Sequence, residues 1–523
     1  MSSGASQASD IVSASEGLYP AEEFDPRPTW SDRVKLQGPW NQQRTPEELL
    51  GAPSLPMPVS IATAESLTPC FDHIMNNGTH LPPPTLDKKY EIEAEPNYET
   101  PYIEFEKGVI YEDRRMDMCK MVLGPPGIDR LLDSLEQNDF IQHFLLGNNI
   151  IGPAGCRRIA RFLDKYPNRM DTWYLAGNCI DSFGFEAMVD GLARSVATNI
   201  WLKRNPLGPS SKGPLARLIR TSTQLRTLDL DQTELGDDGV AKLFNSLCEH
   251  DSETALSLQN IYMNAVGVGP GACASMNRFL LSPTCQLESL YLSNNPLGNG
   301  GIAALTKDLT KNTTLQRLML SSTGLTSYGA TALFKSLTGH PTLIALDLSQ
   351  SYATEDLNSH FNYISDTEDI TETITDFIFE TPNLRLLDLS YTALSYTSIN
   401  QLITNGVLRS ASLCSFSCST VVQPVSYESQ HDKEEHKARQ VNKRLQSRIK
   451  TRLNLNIEVH YPGMSVNKFD SNEVRWLKGP KEDLRKIDSV YRNRDAGLAR
   501  RGLKRLEKRW SEDDKTLQEV MRS

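Results

Sequence analysis

Residues 290–309 read LYLSNNPLGNGGIAALTKDL, and two periods share the stretch. Leu290 and Leu292 alternate with Tyr291, the spacing of a short strand with one buried face. After the glycines, Ile302, Leu305 and Leu309 fall three and four residues apart, the spacing of an amphipathic helix. A strand, a turn and a helix together present two apolar faces that one unit cannot bury alone. Such a unit needs copies of itself on either side.

Copies are present. On the template L-x-x-L-x-L-x-x-N the chain aligns Ile141/Phe144/Leu146/Asn149, Met170/Trp173/Leu175/Asn178 and Ala197/Ile200/Leu202/Asn205. It continues through Leu225/Leu228/Leu230/Thr233, Leu258/Ile261/Met263/Val266, Leu287/Leu290/Leu292/Asn295 and Leu315/Leu318/Leu320/Thr323. The later units are Leu343/Leu346/Leu348/Ser351 and Leu384/Leu387/Leu389/Thr392, with degenerate ends at Met116/Cys119/Met121/Gly124 and Leu413/Phe416/Cys418/Val421. The repeat length is about 28 to 29 residues. Stacked units predict an α/β solenoid, curved like a horseshoe, with a parallel sheet on the concave face and helices on the convex face. The terminal Asn of the template can satisfy backbone groups that the bending chain leaves unpaired. Asn149, Asn178, Asn205 and Asn295 are therefore read as an incomplete structural ladder.

The residue between the paired leucines points away from the core, toward the concave face. That row reads Leu145, Tyr174, Trp201, Asp229, Tyr262, Tyr291, Met319, Asp347, Asp388 and Ser417, aromatic first and acidic later. Exposed Trp, Tyr and Arg are frequent carriers of binding energy. The candidate partner-binding residues are accordingly Tyr174, Trp201, Tyr262 and Tyr291, with Lys203 and Arg204 near one end and Asp347 and Asp388 at the other setting the orientation of a protein partner.

The stretches LDLDQTELGDDGVAKLFNSL (228–247) and LYLSNNPLGNGGIAALTKDL (290–309) resemble leucine-rich repeats of the ribonuclease-inhibitor type. The resemblance covers the array and implies its fold without implying an activity. The chain is also similar to Ran GTPase-activating proteins, which act through an Asn and an Arg on repeat loops. In LKRNPLG (202–208), Asn205 resembles that family's functional asparagine. No counterpart of the arginine-bearing loop is present, and the tail is basic where that family's is often acidic. A small Ran-like GTPase is the alternative partner on this resemblance.

Around the array, which spans 108–426, lie two segments of opposite charge. Residues 1–110 carry about 17 acidic against about 7 basic residues, while 431–523 carry about 24 basic against about 15 acidic. Residues 1–107 are Pro-rich and expected to be mostly disordered. Within this arm YETPYIEFEKGVIY (98–111) is expected to dock on the first repeat as a cap. Residues 352–377 are read as an acidic, exposed insertion. The tail, 427–523, is expected to be helical and to cap the last repeat, its stripe being Val441, Leu445, Ile449 and Leu453. A basic tail also leaves open contact with nucleic acid or anionic lipid.

Chemistry has few footholds. The chain holds no G-x-x-x-x-G-K-[ST] phosphate loop, H-E-x-x-H helix or G-x-S-x-G elbow. AVGVGPGACAS (265–275) is read as the turn entering a repeat helix rather than a phosphate cradle. Nine cysteines without a C-x-x-C pair are expected to be reduced thiols. No metal, cofactor or catalytic residue is expected. The absence of a signal-like or spanning apolar run points to a cytoplasmic chain, with nuclear access open.

Overall fold

The computed structural model describes residues 61–76, 100–249, 254–350, 362–421 and 429–489. Short strands stack in sequence order into one 13-stranded sheet. They are β1 (Tyr102–Glu104), β2 (Val109–Tyr111), β3 (Arg115–Asp117), β4 (His143–Leu145), β5 (Thr172–Tyr174), β6 (Asn199–Trp201) and β7 (Thr227–Asp229). They continue as β8 (Asn260–Tyr262), β9 (Ser289–Tyr291), β10 (Arg317–Met319), β11 (Ala345–Asp347), β12 (Leu386–Thr392) and β13 (Ser415–Thr420). From β3 onward all pairings are parallel. The chain is an open α/β leucine-rich repeat solenoid, with helices such as Gly236–Cys248 and Gly298–Thr306 between successive strands.

The template leucines hold the stack together. Phe144, Trp173, Ile200, Leu228, Ile261, Leu290, Leu318, Leu346 and Leu387 all lie on one face of the sheet and are essentially buried. Each fully buried side chain of this size contributes about 1.5–3 kcal/mol of transfer free energy. Strand register matches the template, so that Tyr174 faces Trp201, Tyr262 faces Tyr291 and Asp347 faces Asp388 across neighbouring strands. The first unit is the exception. Met116 pairs with Phe144 rather than lying opposite Ile141, so that unit sits three residues away from the assigned register. In the observed register Met116 and Met118 take the paired apolar positions with Asp113 at the first, whereas Met116, Cys119 and Met121 also match L-x-x-L-x-L, and strand pairing separates the two.

Both ends of the array are closed. At the first end, β1 and β2 add antiparallel to β3, as the aromatic segment 98–111 suggested. Above them the helix Ala64–Met75 buries Leu67, Cys70, Phe71 and Ile74, with Asn138 Nδ2 donating to Ile74 O. This cap lies inside the arm expected to be disordered. The rest of that expectation, over 1–60 and 77–99, falls outside the described residues.

At the far end, the helix Gln430–His460 packs on the last repeat helix, Tyr396–Asn405. Its Glu435 carboxylate accepts from Tyr396 N, Thr397 N and Thr397 Oγ1, capping that helix as an anion at a helix N-terminus should. Leu445, Ile449 and Leu453 are buried with Ile457, but Val441 is 45% exposed. A step of four residues advances 40° beyond a full turn. A strict four-residue stripe therefore drifts off the contact face, and Val441 is where it leaves.

The stretch read as an insertion divides in two. Residues 351–361 lie outside the described residues. The remainder is repeat structure: the helix Ile370–Glu380 buries Ile370, Thr373, Ile374, Phe377 and Ile378. The extra residues fall before the ladder position of their unit, so Asn362 rather than Ser351 fills it.

Candidate functional site: a concave face covered by its own C-terminal segment

The asparagines are built into the backbone. Asn178 Oδ1 accepts from Asn149 N at 3.0 Å while its Nδ2 donates to Leu146 O at 2.9 Å. Asn149 joins Leu123 N to Met118 O and Leu146 O. Asn205 Oδ1 accepts from Asn178 N and Ile180 N, and its Nδ2 donates to Leu175 O and Leu202 O. Asn295 ties Val266, Gly267 and Val268 N–H groups to Met263 O and Leu292 O. Asn362 bridges Thr323 N and Leu325 N to Leu320 O and Leu348 O in the same way. A threonine at this position supplies less: Thr233 Oγ1 donates to Leu230 O.

The glycine-rich turn is also occupied from within. Gly269 N, Gly271 N and Ala272 N donate to the Asp237 carboxylate of the preceding repeat. Asp237 thus fills the anion position at the start of the helix Pro270–Leu280.

On the concave face the aromatic row is continuous. The Tyr174 and Trp201 rings lie 6.3 Å apart, Trp201 reaches past Asp229 to Tyr262 at 5.3 Å, and Tyr262 stacks on Tyr291 at 3.9 Å. These rings do not face open solvent. Tyr174 is 8% exposed, Trp201 2% and Tyr291 6%. What covers them is the chain's own segment 474–489, which leaves the C-terminal cap and runs back across the sheet from β12 to β3.

The segment is anchored strand by strand. Lys478 Nζ donates to Asp347 Oδ2 and Asp388 Oδ2, each at 2.9 Å. Arg317 Nε donates to Leu477 O at 3.0 Å, and the Tyr291 hydroxyl donates to Lys478 O at 2.8 Å. Gly479 then passes directly over the tyrosine pair. A Cβ there would sit 2.6 Å from Leu484 Cδ1, and 3.6 Å from the Tyr262 and Tyr291 hydroxyls, so a side chain at 479 would push Leu484 away. Asp483 accepts from Arg226 at 2.9 Å and from Thr227 Oγ1 at 2.6 Å. Ile487 fills an apolar pocket formed by Cys119, Leu145, Tyr174, Ala176 and Trp201. Lys486 Nζ meets Asp171 Oδ2 at 2.7 Å, and Arg115 donates to Asp488 O.

The electrostatics follow from this pairing. Burial by itself would lower the Lys478 pKa, but the Asp347 and Asp388 carboxylates outweigh it and raise it above the ordinary lysine range. Burial would raise Asp347, yet Lys478 and the Ser349 hydrogen bonds hold it below the usual carboxylate range. Asp171 behaves likewise: burial opposes ionisation, and hydrogen bonds from His143, Lys486 and Thr172 prevail. Burial pushes the Tyr262 and Tyr291 phenols up, keeping them neutral donors or acceptors.

The candidate residues thus separate. Tyr174, Trp201, Tyr262, Tyr291, Asp347 and Asp388 come together under one segment. Lys203 instead faces Asp231 at 3.3 Å, and Arg204 adopts a left-handed backbone at φ 58° beyond the strand. Sequence reasoning missed Asp171, Arg226 and Thr227, which sit at or just before strand starts, outside the position used to define the row. It also missed Lys478, Asp483 and Ile487, whose segment reads as part of a longer amphipathic tail but contains only two five-residue helices, Val474–Lys478 and Lys481–Arg485. All nine cysteines are free. Among the described residues no cluster of His, Cys, Asp and Glu could hold a metal ion, and no helix is long and apolar enough to cross a membrane.

Comparison with known proteins agrees with this architecture. A family model described as Leucine Rich repeat matches residues 221–244 and 285–305. The chain is 31% identical over 204 residues to "NACHT, LRR and PYD domains-containing protein 12" of Mus musculus, covering 38% of this chain and 19% of that protein. It is 29% identical over 205 residues to "NACHT, LRR and PYD domains-containing protein 3" of Bos taurus, again 38% and 19%. It is 26% identical over 190 residues to "Ribonuclease inhibitor" of Sus scrofa, covering 36% and 40%. The chain therefore matches well under half the length of each of these relatives. Parallel strands in unbroken order and an asparagine ladder give a leucine-rich repeat solenoid, and over the matched stretches the chain is similar to leucine-rich repeats of the ribonuclease-inhibitor type.

Proposed function

We propose that this chain is a non-enzymatic, protein-binding scaffold whose concave sheet takes a segment of polypeptide. The observation that carries the reading is the segment 474–489, a peptide-like occupant seated on that face through Tyr291, Arg317, Asp347, Asp388 and Arg226. The surface offers what a polypeptide ligand needs: donors for main-chain carbonyls, carboxylates for a cation, and an aromatic pocket for an aliphatic side chain. One relative is, by its name, an inhibitor of a ribonuclease, which accords with a repeat array that works by binding protein.

The test is capture of partners from the native cell with wild type and with Trp201→Ala plus Tyr291→Ala. Recovery undiminished in a folded double variant would remove the concave-face reading. The alternative, regulation of a small Ran-like GTPase through Asn205, has less to draw on, because both sides of that amide are already engaged within the ladder. Single-turnover GTP hydrolysis tests it: acceleration by wild type that is lost in a folded Asn205→Ala chain would restore it.

A further inference from the structure

The segment 474–489 is attached differently from the rest of the solenoid. Its main-chain hydrogen bonds are local: Trp476 N and Leu477 N donate to Glu473 O, Leu484 N to Pro480 O, Ile487 N to Leu484 O and Asp488 N to Arg485 O. The described contacts with the array all run through a side chain, on the array or on the segment. Helices of five residues have no stability of their own in water, so the segment holds its shape because the sheet holds it.

It is not needed to close the fold. The array's ends are already covered by the helix Ala64–Met75 with its hairpin and by the helix Gln430–His460. The leucine core also lies on the other face of the sheet. The segment nonetheless covers the aromatic row almost completely, leaving Trp201 2% exposed. An external segment could reach Tyr174, Trp201 and Tyr291 only by replacing it.

We infer that residues 474–489 are a built-in competitor that closes the concave face, and that the external ligand is a polypeptide segment with the same order of chemistry. That order is a cation for Asp347 and Asp388, a carboxylate five residues on for Arg226 and Thr227, and an aliphatic side chain four residues further on for the Tyr174/Trp201 pocket. Lys478, Asp483 and Ile487 supply those groups in the closed chain. The spacing discriminates because each position penalises the wrong partner. An acid at the first would meet two carboxylates, and a lysine at the second would meet the Arg226 guanidinium. This inference rests on the concave face being the binding face.

Closure has a measurable consequence. A site open only a fraction of the time binds more weakly by that fraction. The experiment uses the full chain, as wild type and as Lys478→Glu with Ile487→Asp, and a labelled synthetic peptide spanning residues 473–490 as the probe. Hydrogen exchange at Leu484 and Ile487 confirms release of the segment, and circular dichroism confirms that the array is folded. The released variant is expected to capture the peptide at least about tenfold more tightly than wild type. A peptide with the charges at 478 and 483 exchanged should not be captured.

A folded, released variant that captures no peptide would overturn the inference and count against the concave face altogether. Wild type that captures the peptide as tightly as the released variant, with capture lost in Trp201→Ala plus Tyr291→Ala, would overturn the closure while leaving the binding face intact. A released variant that no longer folds would also overturn it, since a segment required for folding cannot be displaced by a ligand.

Discussion

Lys478 is the most exacting place to perturb the closed face. Its ammonium is shared between Asp347 and Asp388 at 2.9 Å each, with side-chain exposures of 36%, 10% and 15% respectively. Replacement by Met keeps the length of the stem and removes the charge. Two charge-assisted hydrogen bonds would be worth about 1.5–3 kcal/mol apiece when fully buried. Two features reduce the loss. The lysine side chain is over a third exposed, so the pair is partly screened. Both carboxylates also keep other donors, Asp347 from Ser349 N, Ser349 Oγ and Ser321 Oγ, and Asp388 from Ser390 N. The two acids, left facing each other, push the other way. The net destabilisation of the docked segment should be about 1–3 kcal/mol, or about 5- to 150-fold in its opening equilibrium. Native-state hydrogen exchange on the full chain reads this as faster exchange at Leu477, Leu484 and Ile487, with the strand amides of β10 and β11 unchanged. Protection at those three positions within about twofold of wild type would mean that the pair does not anchor the segment, contributing less than about 0.5 kcal/mol. Equal loss along the helix Gln430–His460 would show instead that cap and segment open as one unit.

Further outcomes follow from the same geometry. Asn178→Ala removes a fully buried amide that joins Asn149 N to Leu146 O and should lower chemical-denaturation stability by about 2–4 kcal/mol; a loss below about 1 kcal/mol would mean that water replaces the ladder. Glu435→Ala uncaps the helix Tyr396–Asn405 and should cost about 1–2 kcal/mol, seen as protease cleavage within 430–460 before the array is cut. Asp171 and Asp347 have depressed pKa values in the folded chain, so the stability they lend is complete above the unfolded value near 4 and is lost as pH falls through the depressed values. Lys478, raised by its partners, lends stability that is complete below about pH 10 and is lost as pH rises through its folded value. Fluorescence of Trp476 against pH should therefore be flat between these limits; a transition near neutrality would contradict the assignment. The buried thiols Cys70, Cys179 and Cys285, each pushed up to about 12 by burial, should resist a thiol reagent in the native chain and react after unfolding.

Features with a short period are legible in the residues alone. Leu290, Tyr291 and Leu292 suffice to place a strand, its core face and its concave residue, because side chains alternate within a few residues of one another. The same local logic aligned Tyr174, Trp201, Tyr262, Tyr291, Asp347 and Asp388 in one row. It erred where the pattern was locally ambiguous, at Met116, or interrupted, at Asn362 behind its insertion. Tertiary structure alone decided what lies on that row. Asp483 meets Arg226 257 residues away, and Lys478 meets Asp347 131 residues away. A charge in a tail that holds about 24 basic residues carries no mark of which carboxylate it will find. Pairing at that distance depends on where the cap sets the chain down and on the route from there across the sheet. Those are properties of the assembled surface, and no window of the sequence contains them.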